Sequence, residues 1–250
     1  MTPTGFSVPT FTESVNRRVL GGFVFVDGIT GNSIPNPLPT TIPQFQFKVN
    51  RSGIYAILDG PGLDSFTTEF IPNPATWPAS QTVEVTVGDP SLRYLPRRAK
   101  IQAPQSLASV VTPQQVRLYP SPSSTVEANW AVVRVSVTDT NGNGLPYAVV
   151  QVIKSDNSVA ATGMTDARGE GLLAVIGLVI QVSSTATDPV TDTTTPVTLK
   201  AFFNPANPSG SVTDPDDILG NLTNTSLKTG TQTGALSARE TIFIQIAISV

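Results

Sequence analysis

Short runs of β-branched residues recur along this chain, each closed by a Gly, Asn, Asp or Pro turn, and helix-forming runs of Ala, Leu, Glu and Lys are missing. The pattern is plainest from residue 133. Val133, Val135 and Val137 alternate with Arg134, Ser136 and Thr138, a period of two that gives a strand one buried face. Asp139-Thr-Asn-Gly-Asn-Gly follows, and Gly and Asn supply the positive φ angles that a tight turn needs. Further strands are expected at Tyr147 to Ile153, Val159 to Thr165 and Gly171 to Ile176, separated by KSDNS and DARG. With 19 Gly and 22 Pro in 250 residues and only 13% charged residues, this is the composition of an all-β protein rich in turns. A hydrophobic fraction of 39% suffices for a core.

The N-terminal half repeats the plan. FVFV at 23–26 reads as a strand, DGITGNSIP follows from Asp27, and NRSG leads into IYAI at 54–57. In both halves an apolar strand meets an Asp, a Gly/Asn turn, a Pro, and then a second polar turn ending on Gly before the next strand. Asp27 and Gly53 correspond in this reading to Asp139 and Gly169, which predicts a duplicated domain plan.

On these residues, VRVSVTDTNGNGLPYAVVQV and ATGMTDARGEGLLAV, the chain resembles the transthyretin-like, carboxypeptidase-regulatory-like β-sandwiches, well over residues 132–178 and more loosely over 19–63. The resemblance implies about seven strands in two sheets and a part as spacer, adhesive module or scaffold, and it carries no catalytic residues. The expected fold is two tandem antiparallel β-sandwiches: an arm at 1–16, a first sandwich at 17–103, a Pro/Ser-rich extended linker at 104–125, and a second sandwich at 126–250 with long Thr-rich loops between 185 and 234, broken by a strand at Thr198 to Phe203. Within the linker, VRLY at 116–119 could still pair as a short strand.

DTNGNG is also the first half of a calcium-loop pattern, with Asp139, Asn141 and Asn143 as candidate ligands. A full loop needs an acidic twelfth residue, and that position is Val150, inside a strand, so a plain turn is the expected reading. A second cation candidate is Asp214, Asp216 and Asp217 in TDPDD; the same residues suit the cap and first turn of a short helix, which is preferred. No cofactor is expected. With no Cys and no His, thiolate sites, Ser-His-Asp triads and zinc sites of the usual kind are excluded, and the chain is not expected to be an enzyme.

The formal net charge of −3 is split. Residues 1–125 hold nine Lys/Arg against seven Asp/Glu, and residues 126–250 hold six against eleven, giving +2 and −5. Such asymmetry suits head-to-tail contact, although an arbitrary split of surface charge gives the same numbers. The basic cluster is Arg93, Arg97, Arg98 and Lys100. It is too small for nucleic acid in a chain of pI near 4.9, and reads either as a docking patch for an acidic partner or as a strand edge guarded by charge. Trp77, Trp130, Tyr119 and Tyr147 are too few to insist on a sugar-stacking platform; Trp130 is expected in the core and Trp77 on a loop. The final run TIFIQIAISV is apolar on nearly every residue, so it is either buried on both faces or paired across an interface. Thr241, Phe243, Gln245 and Val250 are its interaction candidates.

No signal peptide is visible in MTPTGFSVPTFTESVNRR, and the longest apolar stretch, at 171–182, is too short to span a bilayer. The expected function is a non-catalytic structural component of a phage-tail or contractile-injection-type particle, made in the cytoplasm and held to other subunits, including its own copies, by the arm and edge strands. The alternative is an adhesin or carbohydrate-binding module using the 185–234 loops, with calcium as a candidate aid.

Overall fold

The computed structural model describes residues 19–63, 78–105, 112–178, 194–207 and 211–250. They build two β-sandwiches of seven strands each. The first contains β1 (Gly21–Asp27), β2 (Thr40–Thr41), β3 (Gln46–Val49), β4 (Ile54–Asp59), β5 (Gln81–Val87), β6 (Arg97–Ala103) and β7 (Gln114–Leu118). The second contains β8 (Ala131–Asp139), β9 (Val149–Lys154), β10 (Val159–Met164), β11 (Glu170–Val175), β12 (Thr195–Phe203), the helix α1 (Pro215–Leu219), β13 (Lys228–Leu236) and β14 (Thr241–Ile248).

In the first sandwich the sheet β3-β4-β1-β7 faces β2-β5-β6. Phe23, Phe25, Tyr55, Ile57, Val83, Val85, Ile101, Val116 and Leu118 fill the space between them. The rings of Phe23 and Tyr55 stack at 4.9 Å, and the Tyr55 hydroxyl accepts a bond from the Leu38 N–H at 2.7 Å, so the one polar tip in this aromatic group is satisfied. In the second sandwich β10-β9-β12-β13 faces β11-β8-β14 around Val133, Val135, Val137, Val150, Val152, Leu199, Ile246 and Ile248.

The strand orders repeat. The run β4-β1-β7 corresponds to β11-β8-β14, and β2-β5-β6 corresponds to β9-β12-β13. Only β3 and β10 differ, since β3 joins β4 in the first sheet whereas β10 joins β9 in the facing one. The sheets are not purely antiparallel: in each sandwich the first strand lies parallel to the last, β1 to β7 and β8 to β14.

The duplicated turns do the same work twice. Asp27 Oδ1 accepts the N–H groups of Ile29 and Thr30, and Asp139 Oδ1 accepts those of Asn141 and Asn143, all at 2.8–2.9 Å. Gly53 and Gly169 both take positive φ, +76° and +83°. A Cβ on Gly53 would lie 2.6 Å from the Ile34 carbonyl oxygen, and one on Gly169 would lie 2.5 Å from that of Val137.

Two stretches differ from the sequence expectation. Residues 114–118 of the Pro/Ser-rich segment are strand β7, paired with β1, so the short strand allowed for at 116–119 is present, and the described residues after it are pinned on both sides. Ser121 Oγ donates to the Leu92 carbonyl, Ser124 Oγ to that of Arg93, and Arg134 donates to the Pro122 carbonyl. Short hydroxyl side chains and free carbonyls make this a stitched joint where an extended linker was expected. In the 185–234 region β12 and α1 match the strand and the capped short helix expected there, β13 falls where a loop was expected, and residues 179–193 and 208–210 lie outside the described part. β13 (KTGTQTGAL) lacks an apolar stripe because Gly230 and Gly234 face the sandwich interior. There a side chain would collide with the Ile244, Ile246 and Ile248 side chains of β14 or the Ala247 carbonyl.

Candidate interaction surfaces

Two members of the basic cluster, Arg97 and Lys100, are the partners of the acidic cluster. Arg97, on β6, has no exposed surface. Its Nη2 donates to Asp214 Oδ1 at 3.0 Å and Asp216 Oδ2 at 2.7 Å, its Nε to the Arg98 carbonyl at 3.1 Å, and its Nη1 to the Arg117 carbonyl. Lys100 meets Asp217 at 2.7 Å, and the Arg98 N–H donates to the Thr213 carbonyl at 3.2 Å. Asp214 is at the same time the N-cap of α1, accepting the Asp216 N–H, with Pro215 in the first turn. Burial pushes the Asp214 carboxyl up from its ordinary range, and the Arg97 guanidinium works against that rise.

Arg97 is therefore neither a solvated edge nor a patch for an external partner, and part of the +2/−5 asymmetry is consumed inside the chain. Arg93 and Arg98 lie at the rim: Arg93 is close to Asp27, and Arg98 pairs with Glu84. No group of three or more His, Cys, Asp or Glu among the described residues could hold a metal ion. In the Asp139 turn the carboxylate is taken up by Asn141 and Asn143, whose bonds hold its pKa below the usual value.

Beside the clamp, Leu95 and Tyr119 from the first half pack on Tyr147 and Met164 from the second. Tyr119 and Tyr147 are thus joint residues and offer no sugar platform. Trp130 is half-buried where a core position was expected, and Trp77 lies outside the described residues. The Tyr119 hydroxyl has no hydrogen-bond partner, and burial pushes its pKa up to about 12.

At the end of β1, burial pushes the Asp27 carboxyl up, but the Thr30 and Ile29 N–H groups and the Tyr94 hydroxyl at 2.7 Å outweigh it, so its pKa is lowered. A lowered carboxylate pKa stabilises the fold above the unfolded value of 3.8, and that contribution is lost as pH falls through the folded value. Asp27→Asn is expected to cost about 1–2 kcal/mol at pH 7. The gap to wild type should close on acidification below pH 3.8, as read by urea melts across pH.

The last strand is buried on one face only. Ile246 and Ile248 enter the core, whereas Thr241, Phe243, Gln245 and Ala247 are exposed, Phe243 to 77%. β14 is an outer strand of its sheet, bonded to β8 along one side. A groove of about 540 Å³ runs beside it over the outer sheet face, lined by Phe243, Ile244, Gln245, Arg134 and Arg168 under Pro122. Sequence reasoning marked Phe243 and Gln245 but not Arg134, whose alternation with valines gave only its outward direction. Val250, beyond the strand, is exposed.

No protein-family model matches the sequence, and no curated protein matches it. Among solved structures, the chain is similar to the Bacillus anthracis TIE protein at 10% identity and TM-score 0.25, over 92% of this chain and 34% of that one. It is similar to a streptococcal ancillary pilin at 10% identity and TM-score 0.25, over 82% and 50%. It is also similar to BcpA, the major pilin subunit of Bacillus cereus, at 9% identity and TM-score 0.26, over 84% and 54%. The chain thus spans between a third and about half of the length of these proteins.

Proposed function

We propose that this chain is a non-catalytic structural subunit of a larger protein assembly. The observation that carries the reading is β14: an uncharged outer strand with one backbone edge unpaired by any described strand and Phe243 standing out beside it. Edges of this kind are templates for strand addition, in which main-chain bonds give affinity and flanking side chains give specificity. The stitched joint supports the same reading, because two sandwiches locked by a buried ion cluster make a stiff spacer. The finer proposal is a particle of phage-tail or contractile-injection type, assembled in the cytoplasm from transthyretin-like modules; it rests on the motif resemblance by analogy.

The test is density-gradient sedimentation of producer-cell lysate, with mass spectrometry for the chain in each fraction. The chain is expected in megadalton fractions, and Phe243→Lys, which guards the edge with charge, is expected to shift it to slow fractions. Wild type at the weight of a monomer or small oligomer would sink the reading. Truncation before β14 is the wrong variant, since it removes Ile246 and Ile248 from the core.

The groove supports a second reading, an adhesin or carbohydrate-binding module, in which the exposed Phe243 ring stands beside polar Gln245 and Arg134. A glycan-array signal lost in Phe243→Ala, or a melting shift with calcium reversed by chelator, distinguishes it.

A further inference from the structure

Four steps in the chain join Asp or Asn to Gly: Asp27-Gly28, Asp59-Gly60, Asn141-Gly142 and Asn143-Gly144. Such steps carry a built-in reaction. The Gly backbone nitrogen can close a five-membered ring on the preceding side chain's Cγ, and a glycine has no side chain to hinder the closure. An amide gives up ammonia more readily than a carboxylate gives up water, so the two Asn steps are the reactive ones, and Asn is correspondingly a thermolabile residue. Closure also needs room, because the Gly nitrogen must swing toward Cγ and carry the Gly Cα and the next peptide with it.

Of the four steps, one has that room. A Cβ on Gly28 would run into the Leu118 carbonyl oxygen, one on Gly60 into the Phe45 ring, and one on Gly144 into the Arg168 carbonyl oxygen. Nothing lies within 4 Å of a Cβ on Gly142, which takes a φ of +86° in the Asp139 turn. The side chains differ in the same sense. Asn143 is tied twice to Asp139, by its N–H to Oδ1 and by its Nδ2 to Oδ2, both at 2.8 Å. Asn141 is held through its backbone N–H at 2.8 Å, and its side chain bonds Asp139 more weakly than that of Asn143 does. The bond that must open at Gly142 is its own N–H to the Asp139 carbonyl, 3.1 Å long on an exposed turn.

We infer that Asn141 is a self-modification site, where the Gly142 nitrogen closes on the Asn141 side chain and converts it to Asp and isoaspartate, while Asn143 is protected. The Gly142 N–H loses its proton to solvent, the nitrogen bonds to Cγ, and the Cγ–Nδ2 bond breaks to release ammonia. Water then adds to either carbonyl of the succinimide ring and reopens it. One opening restores the peptide bond through Asp; the other routes the backbone through the side chain and lengthens it by a methylene. Either product places a new carboxylate two residues from Asp139, and like charge then opposes the group that holds the turn. The reaction needs no enzyme, so the charge of this turn records the age of the chain.

The test is ageing of the purified full chain in neutral buffer, then trypsin and fragment mass spectrometry of the peptide 135–154, which is cut out after Arg134 and Lys154 and carries both Asn-Gly steps. Asn141 is expected to gain the mass of an amide turned acid on the order of tenfold faster than Asn143, the factor that one hydrogen bond to a charged group is worth. In urea, where the turn is gone, the two should react at comparable rates. Gly142→Ala, whose methyl hinders the nitrogen, is expected to slow Asn141 in folded and unfolded chains alike. Equal rates at the two positions in the folded chain, or a faster Asn143, overturns the inference. So does a folded chain whose Asn141 stays intact while the unfolded chain converts.

Discussion

Arg97→Met is expected to lower stability by about 3–5 kcal/mol at pH 7, because a buried ion cluster loses the one cation that joins its members. Asp214 would stay in the joint with 7% of its side chain exposed and no counter-charge, and the Arg117 carbonyl would lose its donor. Asp216, at 56% exposure, turns to water and adds little. The loss should depend on pH in a definite sense. Burial already raises the Asp214 pKa, and removing Arg97 raises it further. A carboxyl with a raised folded pKa favours the fold below its unfolded value, and that contribution fades as pH rises through the folded one. The deficit of Arg97→Met should therefore narrow as pH falls. Denaturant melts at several pH values decide it, and a deficit that is flat or widens with acid would mean that Asp214 is not the stranded group. Lys100→Met, at the exposed end of the cluster, should cost under about 1 kcal/mol.

Gly53→Ala and Gly169→Ala are each expected to lower stability by about 2–4 kcal/mol. Both positions combine a left-handed backbone with a backbone atom where the new methyl would lie. On Gly169 that methyl would also come within 2.7 Å of the Leu145 nitrogen. Gly31 and Gly142 are the controls. They share the positive φ, but nothing lies within 4 Å of their Cβ positions, so Ala there should cost only about 1 kcal/mol of backbone strain. Thermal melts of the four variants separate conformational strain from collision. Equal losses at all four would mean that the two turns are not the packed equivalents that Gly53 and Gly169 imply.

The strands with alternating or continuous β-branched residues were legible: β1, β4 and β8 to β12 lie where period two and turn residues put them. β13 was not, since glycines on its inward face erase the apolar signal just where β14 packs closest. β7 (QQVRL) was legible only in part, as the short strand allowed at 116–119, because it offers two apolar residues and its parallel pairing with β1 has no hairpin turn to announce it. β6 hid inside the basic cluster. Ala99, Ile101 and Ala103 alternate there with Arg98, Lys100 and Gln102, and the reading of a strand edge guarded by charge holds for Arg98 and Lys100 but not for the buried Arg97. The clamp could not be read at all, because Arg97 and Asp214 are 117 residues apart and only the folded joint brings them together. The one hint was the opposite sign of the two halves. For the last strand the sequence left two readings open; β14 buries Ile246 and Ile248 on one face and leaves the other bare.

The side-by-side, parallel placement of the first and last strands decides how each sandwich carries tension. Force entering at the start of β1 and leaving at the end of β7 runs along the two strands in opposite directions, so their five paired positions share the load in shear. The eight paired positions of β8 and β14 share it in the same way. A hairpin pulled from its open end parts one bond at a time, but neither sandwich can be unzipped from its ends. Resistance to extension is set by the rate of crossing one cooperative barrier, which suits a part that must stay stiff between whatever it joins.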